Sequence, residues 1–330
     1  MLKFFRHSYM AQLIVIVLLM VALWIPVFIS HMSEVTVGSP TTPLYNLCAA
    51  IFGSSSLAMT VFAFVVFGTT VFFFNSMMTV NQMVTRNSSI AAFIYILCIS
   101  CVPILDESYP FLLACPFIMI AVHTVYLIYQ VEKPESYLMN MGFVIAVASM
   151  FYFPSIVLMV WVLLAMMIIG FRELRHYLIP LTGFMAPYLV LTAYTYFTRT
   201  LIDTYEAYAH AFSSFSLVGL DISTMEIIVL IVIIVFSLLS FVKITGNDAD
   251  NSVGMRKKVG VTVVLYLFSI LMLFTERQVT CNGLIYIVSA VSISMALCYV
   301  KKSRLVDIVI VILMLAVLAN QYLPLFGIEI

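Results

Sequence analysis

Apolar and polar positions fall along this chain in long blocks. Continuous apolar runs of about 17 to 23 residues, the length of a helix crossing ~30 Å of hydrocarbon, are separated by short breaks rich in charge, Pro, Asn or Ser. Cutting at those breaks predicts eleven spans, at 11–30, 57–79, 89–105, 111–130, 137–153, 155–171, 178–197, 223–242, 259–275, 282–300 and 305–323. A transmembrane β-barrel would show alternating segments of about ten residues, so the pattern predicts an all-α, polytopic transmembrane helical bundle. The first run, "AQLIVIVLLMVALWIPVFIS", follows Lys3, Arg6 and His7 as the core of a signal peptide would. Its 20 residues exceed a signal core of about 7 to 15, and no small-x-small cleavage site follows. It reads as an uncleaved first span.

Composition agrees. The chain is 64% hydrophobic and 9% charged, with a mean hydropathy of +1.16, against about 25% charged residues in soluble domains. No loop exceeds about 25 residues, too short to bury a core of its own, so residues 1–330 read as a single membrane domain. The net charge of zero becomes informative only when sorted by loop. With the N-terminus inside and strict alternation, Lys3, Arg6, Arg86, Lys133, Arg172, Arg175, Lys243, Arg256, Lys257, Lys258, Lys301, Lys302 and Arg304 fall inside; only Arg199 and Arg277 fall outside. That asymmetry is what the positive-inside rule requires, and it predicts eleven spans with the C-terminus outside. The division between 137–153 and 155–171 rests on "YFPS" alone; a single helix there would invert every later loop.

The stretch "IIGFRELRHYLIP", Ile168 to Pro180, is the most polar interruption of the central runs. It reads first as a cytoplasmic turn whose Arg172 and Arg175 serve topology, and second as a collector of lipid phosphate. Acidic residues concentrate on the opposite face: Glu34, Asp106 and Glu107, Asp203, Glu206, Asp221 and Glu276. In "TRTLIDTYEAYAHAFSSFS", Leu201, Tyr205, Tyr208, Phe212 and Phe215 form one helical stripe, while Asp203, Glu206 and His210 share the other face. This predicts an amphipathic helix over about 199–215 lying in the outer interface.

Polar groups inside the spans are costly and therefore functional suspects. His123 is one, able to relay protons or to hydrogen-bond across a helix interface; Asn75, Asn320 and Gln321 stand near span ends. Pro180 and Pro187 flank Gly183 and predict a kinked or opened seventh span. The Cys98–Cys101 pair sits in an apolar run, "IYILCISCVPIL", where thiols read as packing residues. No nucleotide, metallohydrolase or serine-hydrolase motif appears, and no metal spacing or nucleic-acid patch. No cofactor is evident, although the outer acidic loops offer ligands to a divalent cation.

The segment "MNMGFVIAVASMFYFPSIVLMVWVLLAMMIIGFRELRHYLIPLTGFMAPYLVLTAY", Met139 to Tyr194, resembles the centre of an uncharacterised multi-span inner-membrane family of Gram-negative bacteria. That resemblance implies the bacterial inner membrane. The short helix pair, basic turn and Pro/Gly-containing helix also look like the middle of the GT-C class of membrane glycosyltransferases. This second likeness implies transfer from polyprenyl-phosphate-linked sugars at the outer face, with Glu34 in the first outer loop as the acidic residue. Here that loop is short and holds one carboxylate where the class commonly has a pair.

Three functions follow as expectations. A transferase or polymerase of envelope assembly would use Glu34, Asp106 or Glu107 as base and Arg199 and Arg277 for the leaving phosphate. Asp203, Glu206 and His210 would line the substrate side. A lipid flippase or transporter would use His123, the seventh span and the Arg172–Arg175 turn. A membrane scaffold would bind other envelope proteins and need none of these.

Overall fold

The computed structural model describes residues 9–30, 42–52, 56–85, 88–101, 109–129, 131–213, 224–246, 253–273, 283–299 and 304–322. Among them the secondary structure is helical, with no strand. The helices are α1 (Tyr9–Ser30), α2 (Pro43–Phe52), α3 (Ser56–Val80), α4 (Ile90–Ile99), α5 (Tyr109–Ile128), α6 (Glu135–Phe151) and α7 (Leu158–Ile169). They continue with α8 (Leu174–Phe197), α9 (Leu201–Ser213), α10 (Thr224–Gly246), α11 (Val253–Leu273), α12 (Leu284–Tyr299) and α13 (Arg304–Tyr322). Five segments are long and apolar enough to cross a membrane: Ala11–Ile29, Leu57–Val80, Tyr109–Ile128, Leu174–Phe197 and Ile227–Gly246. This is an all-α membrane protein.

The division at "YFPS" is real. Tyr152 is extended (φ −137°, ψ 101°), so α6 stops and a 3-10 turn, Phe153–Val157, leads into α7. The indole of Trp161 donates to Val261 O on α11 at 3.2 Å, and Ile169 O lies 2.6 Å from Lys257 Nζ, which sits over the ring of Tyr129 just before α6. Helix α7 therefore returns to the end from which α6 departed.

Cross-contacts sort the helix ends into two groups. Lys257 and Lys258 tie the start of α11 to Ile169 at the end of α7 and to Asn81 at the end of α3. At the other end, Thr42 Oγ1 donates to Phe151 O, Thr60 and Tyr109 share a hydroxyl hydrogen bond, and Asn320 reaches Cys101 O. Helix α2 lies in what reads from sequence as an outer loop, and the seventh span begins earlier than predicted, at Leu174. Helix α8 also stays unbroken through Pro180 and Pro187, so the seventh span is not opened. Gly183 serves close packing instead. A Cβ there would collide with Met139 O, and one at Gly142 would collide with Pro180 O, so α6 and α8 touch backbone to backbone.

The centre is built from α4 and α12. All ten residues of α4 are buried, as are Leu284 to Leu297 of α12. Helix α4, predicted as span 89–105, is helical only over ten residues, about 15 Å, half the hydrocarbon thickness. A helix this short leaves orphan backbone groups that protein must satisfy where lipid replaces water. Five groups at or just beyond its ends find side-chain partners. Ser89 N donates to Gln12 Oε1 (3.2 Å), Ile90 N to Ser88 Oγ (3.3 Å) and Ala92 N to Asn75 Oδ1 (3.4 Å). Beyond its C-terminus, Gln321 Nε2 donates to Ser100 O (2.9 Å) and Asn320 Nδ2 to Cys101 O (2.8 Å). Four of the polar residues inside the apolar runs thus serve as caps. The Cys98 and Cys101 thiols are buried and free, with Cys101 Sγ directed to Leu97 O.

Candidate functional site

Three helices end in the same backbone motif. After α7, Gly170 N donates to Met167 O and Phe171 N to Met166 O, with Gly170 left-handed (φ 105°). After α3, Gln82 N donates to Thr79 O and Met83 N to Met78 O; after α8, Arg199 N donates to Tyr196 O and Thr200 N to Thr195 O. This is the Schellman arrangement, whose left-handed position favours glycine. Gln82 and Arg199 occupy it with side chains, both at φ 59°. A left-handed L-residue costs roughly 1 kcal/mol, and such strain marks positions to inspect for function.

Arg199 lies two residues before α9, the helix predicted from sequence over about 199–215. Helix α9 covers Leu201–Ser213, within the expected 199–215. Arg199, Asp203 and Glu206 are all exposed, and among the described residues Arg199 forms no ion pair. Around them Tyr196, Phe197, Ile202 and Tyr205 expose their apolar surfaces, Phe197 by 83%. Tyr208 faces inward, its ring 6.2 Å from Tyr188 and 5.7 Å from Phe153, which seats α9 against the α6–α7 junction. Burial, then the neighbouring Tyr188, raises the Tyr208 pKa, so its phenol stays neutral. The hydroxyl of Tyr188 bonds Ser149 at 2.8 Å.

Several other expected positions fall outside this picture. Glu34, Asp106, Glu107 and Arg277 lie outside the described residues, as does the side chain of His210. The expected convergence of Glu34, Asp106 and Glu107 on Arg199 therefore lies outside the described residues as well. Among the described residues no group of three His, Cys, Asp or Glu is placed to hold a metal ion.

The Arg172–Arg175 stretch spans the turn before α8 and the first two residues of that helix. Phe171–Glu173 link α7 to α8, Tyr177 OH donates to Phe171 O at 2.9 Å, and both arginines are exposed. His176 lies 3.7 Å from Glu173. Lys257 caps the adjacent α7 carboxyl end, where a cation meets the negative pole of the helix.

His123 belongs to a cross-helix chain of hydrogen bonds. Lys258 Nζ donates to Asn81 O (3.0 Å) and to Asn81 Oδ1 (3.3 Å); Asn81 Nδ2 bonds His123 Nδ1 (2.9 Å) and Met77 O (2.8 Å). Lysine only donates, so Lys258 fixes which end of the Asn81 amide is oxygen. Asn81 Nδ2 must then donate to His123 Nδ1, which places the imidazole proton on Nε2. Lys258 is only 7% exposed, and no carboxylate among the described residues pairs with it. Its charge is held by the carbonyl end of α3.

Beside this chain is a cavity of about 580 Å³, lined by Thr79, Val80, Gln82, Met83, Val84, Thr85, Met255, Cys298 and Tyr299. Its walls are the turn after α3, the first turn of α11 and the last turn of α12. Neither Asn81 nor Gln82 stands out in sequence, because a break between apolar runs reads simply as loop. Lys258 did carry a signal. It continues the buried stripe Thr262, Leu265, Ser269 and Met272 at three- and four-residue spacing, a position that topology alone does not require.

Compared with known proteins, the chain matches no family model, no curated protein and no solved structure.

Proposed function

We propose that this chain is an eleven-span bacterial inner-membrane protein, N-terminus inside and C-terminus outside, acting at its outer face on a polyprenyl-phosphate-linked sugar. The reaction class is transfer or polymerisation in envelope assembly. The grouping of helix ends supports the alternation: the turns after α3, α5 and α7 and the start of α11 meet at one end, and that end is the basic one. The observation that carries the functional reading is Arg199. It is an exposed guanidinium kept on the acidic face, unpaired among the described residues and fixed at a strained backbone position amid exposed aromatic side chains. Such a group matches a phosphate at the membrane interface, because its fork of donors pairs with phosphate oxygens. The tyrosines beside it suit the amphipathic layer where the headgroup would sit.

In this reading Arg199 holds the phosphate that becomes the leaving group, and Glu34, Asp106 or Glu107 takes the proton from the acceptor hydroxyl. The test is turnover of a polyprenyl-phosphate-linked sugar by the purified protein in lipid nanodiscs. Glu34→Gln should reduce turnover by about a hundredfold or more, and Arg199→Ala should weaken substrate use by about tenfold. Wild-type protein that moves the lipid-linked sugar across the bilayer without turnover would replace transfer with transport. Binding without either would leave the scaffold role.

A further inference from the structure

We infer that the cavity between the turn after α3 and the ends of α11 and α12 is a second binding site, at the opposite end of the bundle from Arg199. Its ligand is a membrane lipid with a hydroxylated headgroup. The walls divide by chemistry. Val80, Met83, Val84, Met255 and Cys298 form an apolar surface, while Thr79, Gln82, Thr85 and Tyr299 contribute hydroxyls and an amide. A volume of about 580 Å³ lies within the ~300–1,000 Å³ of small-molecule sites, which share this mixture of apolar walls and few polar groups.

Gln82 selects the class of headgroup. It holds φ 59° where glycine would be unstrained, it is exposed, and among the described residues its side-chain amide forms no hydrogen bond. The packing around it therefore gives no reason for a side chain there. An amide donates and accepts together, as does a hydroxyl of glycerol or of a sugar. A deprotonated phosphate can only accept, and among the described residues the lining carries no cation to meet it. The wall itself is rigid. Asn81, next to Gln82, is fastened through both its backbone and its side chain to Lys258, one turn along α11 from Met255. The cavity is thus preformed and its polar rim fixed in place, so that ligand binding need not order the turn.

The test is native mass spectrometry of the full-length protein in nanodiscs, titrated with phosphatidylglycerol or with phosphatidic acid, which retains the phosphate and lacks the glycerol headgroup. Phosphatidylglycerol should bind more tightly, and glycerol 1-phosphate without acyl chains should not compete. Gln82→Gly should weaken phosphatidylglycerol by about five- to tenfold, the worth of one or two hydrogen bonds, while melting no lower than the wild type because strain is relieved. Met255→Trp, which fills the apolar part, should reduce occupancy independently. Equal binding of the two lipids would overturn the headgroup assignment. Unchanged affinity in both variants would overturn the site, and so would effective competition by glycerol 1-phosphate.

Discussion

Helices α4 and α8 show two opposite ways of living in a membrane protein. Helix α4 has ten residues, all buried, and depends on side chains from α1, α3 and α13 to close its backbone hydrogen bonds. Helix α8 has 24 residues, and only 22% of its apolar window is buried. Apart from the two bonds that Pro180 and Pro187 cannot donate, it closes its own hydrogen bonds and is held chiefly by α6, at the backbone crossing of Gly142 and Gly183. A long apolar helix takes lipid as its solvent and needs packing at one seam. A short helix needs polar partners at both ends and so must be central. The difference locates the polar side chains: those near α4 are caps, whereas the polar groups after α8 stay exposed and cap no buried helix.

Substitutions can break or sharpen this contrast. The largest effect is expected at the seam, where Gly183→Leu must separate two backbones. It should destabilise the protein by about 3 kcal/mol or more, read as a lost folded fraction in an unfolding titration in detergent. Next, Lys258→Met leaves both oxygens of Asn81 without their donor and should cost about 2 to 3 kcal/mol. A matching loss from Lys258→Arg would show that the point-like ammonium is required, whereas rescue by arginine would show that charge at the α3 end suffices. Gln321→Leu removes one cap of α4 and should cost about 1 kcal/mol, near the average for hydrogen bonds between membrane helices. Arg199→Gly should instead stabilise by about 1 kcal/mol, since the left-handed position suits glycine, while weakening substrate use. Last, Leu189→Ala on the exposed face of α8 (70% exposed) should change stability by less than about 0.5 kcal/mol. A large loss there would mean that protein rather than lipid covers α8.

The three Schellman ends sharpen the lesson at the scale of one residue. Gly170, Gln82 and Arg199 hold equivalent positions, and only the first follows the backbone's preference. At 170 a Cβ would stand 3.7 Å from the Lys257 ammonium, an ordinary contact, so glycine there answers to the left-handed backbone and not to lack of space. At 82 and 199 the side chain is retained against the strain, once at a cavity and once on the aromatic shelf. No periodicity marks either residue, because the left-handed geometry exists only once the helix before it has stopped there.

What the sequence alone determined was the all-helical class and the placement of most helices. Run lengths matched to the hydrocarbon thickness delimit most of the helices, and the "YFPS" division and the span of α9 could be read directly, because one-dimensional hydropathy and periodicity carry that information. The tertiary structure decided which polar residues are spent. Gln12, Asn75, Asn320 and Gln321 are consumed as caps of α4, Lys257 and Lys258 as caps of α7 and α3, and Gly183 as a contact surface rather than a break. The physical reason is that a hydrogen bond across the bundle depends on which helix ends meet. Residues as far apart as Asn81 and Lys258 become partners only when the helices between them have packed.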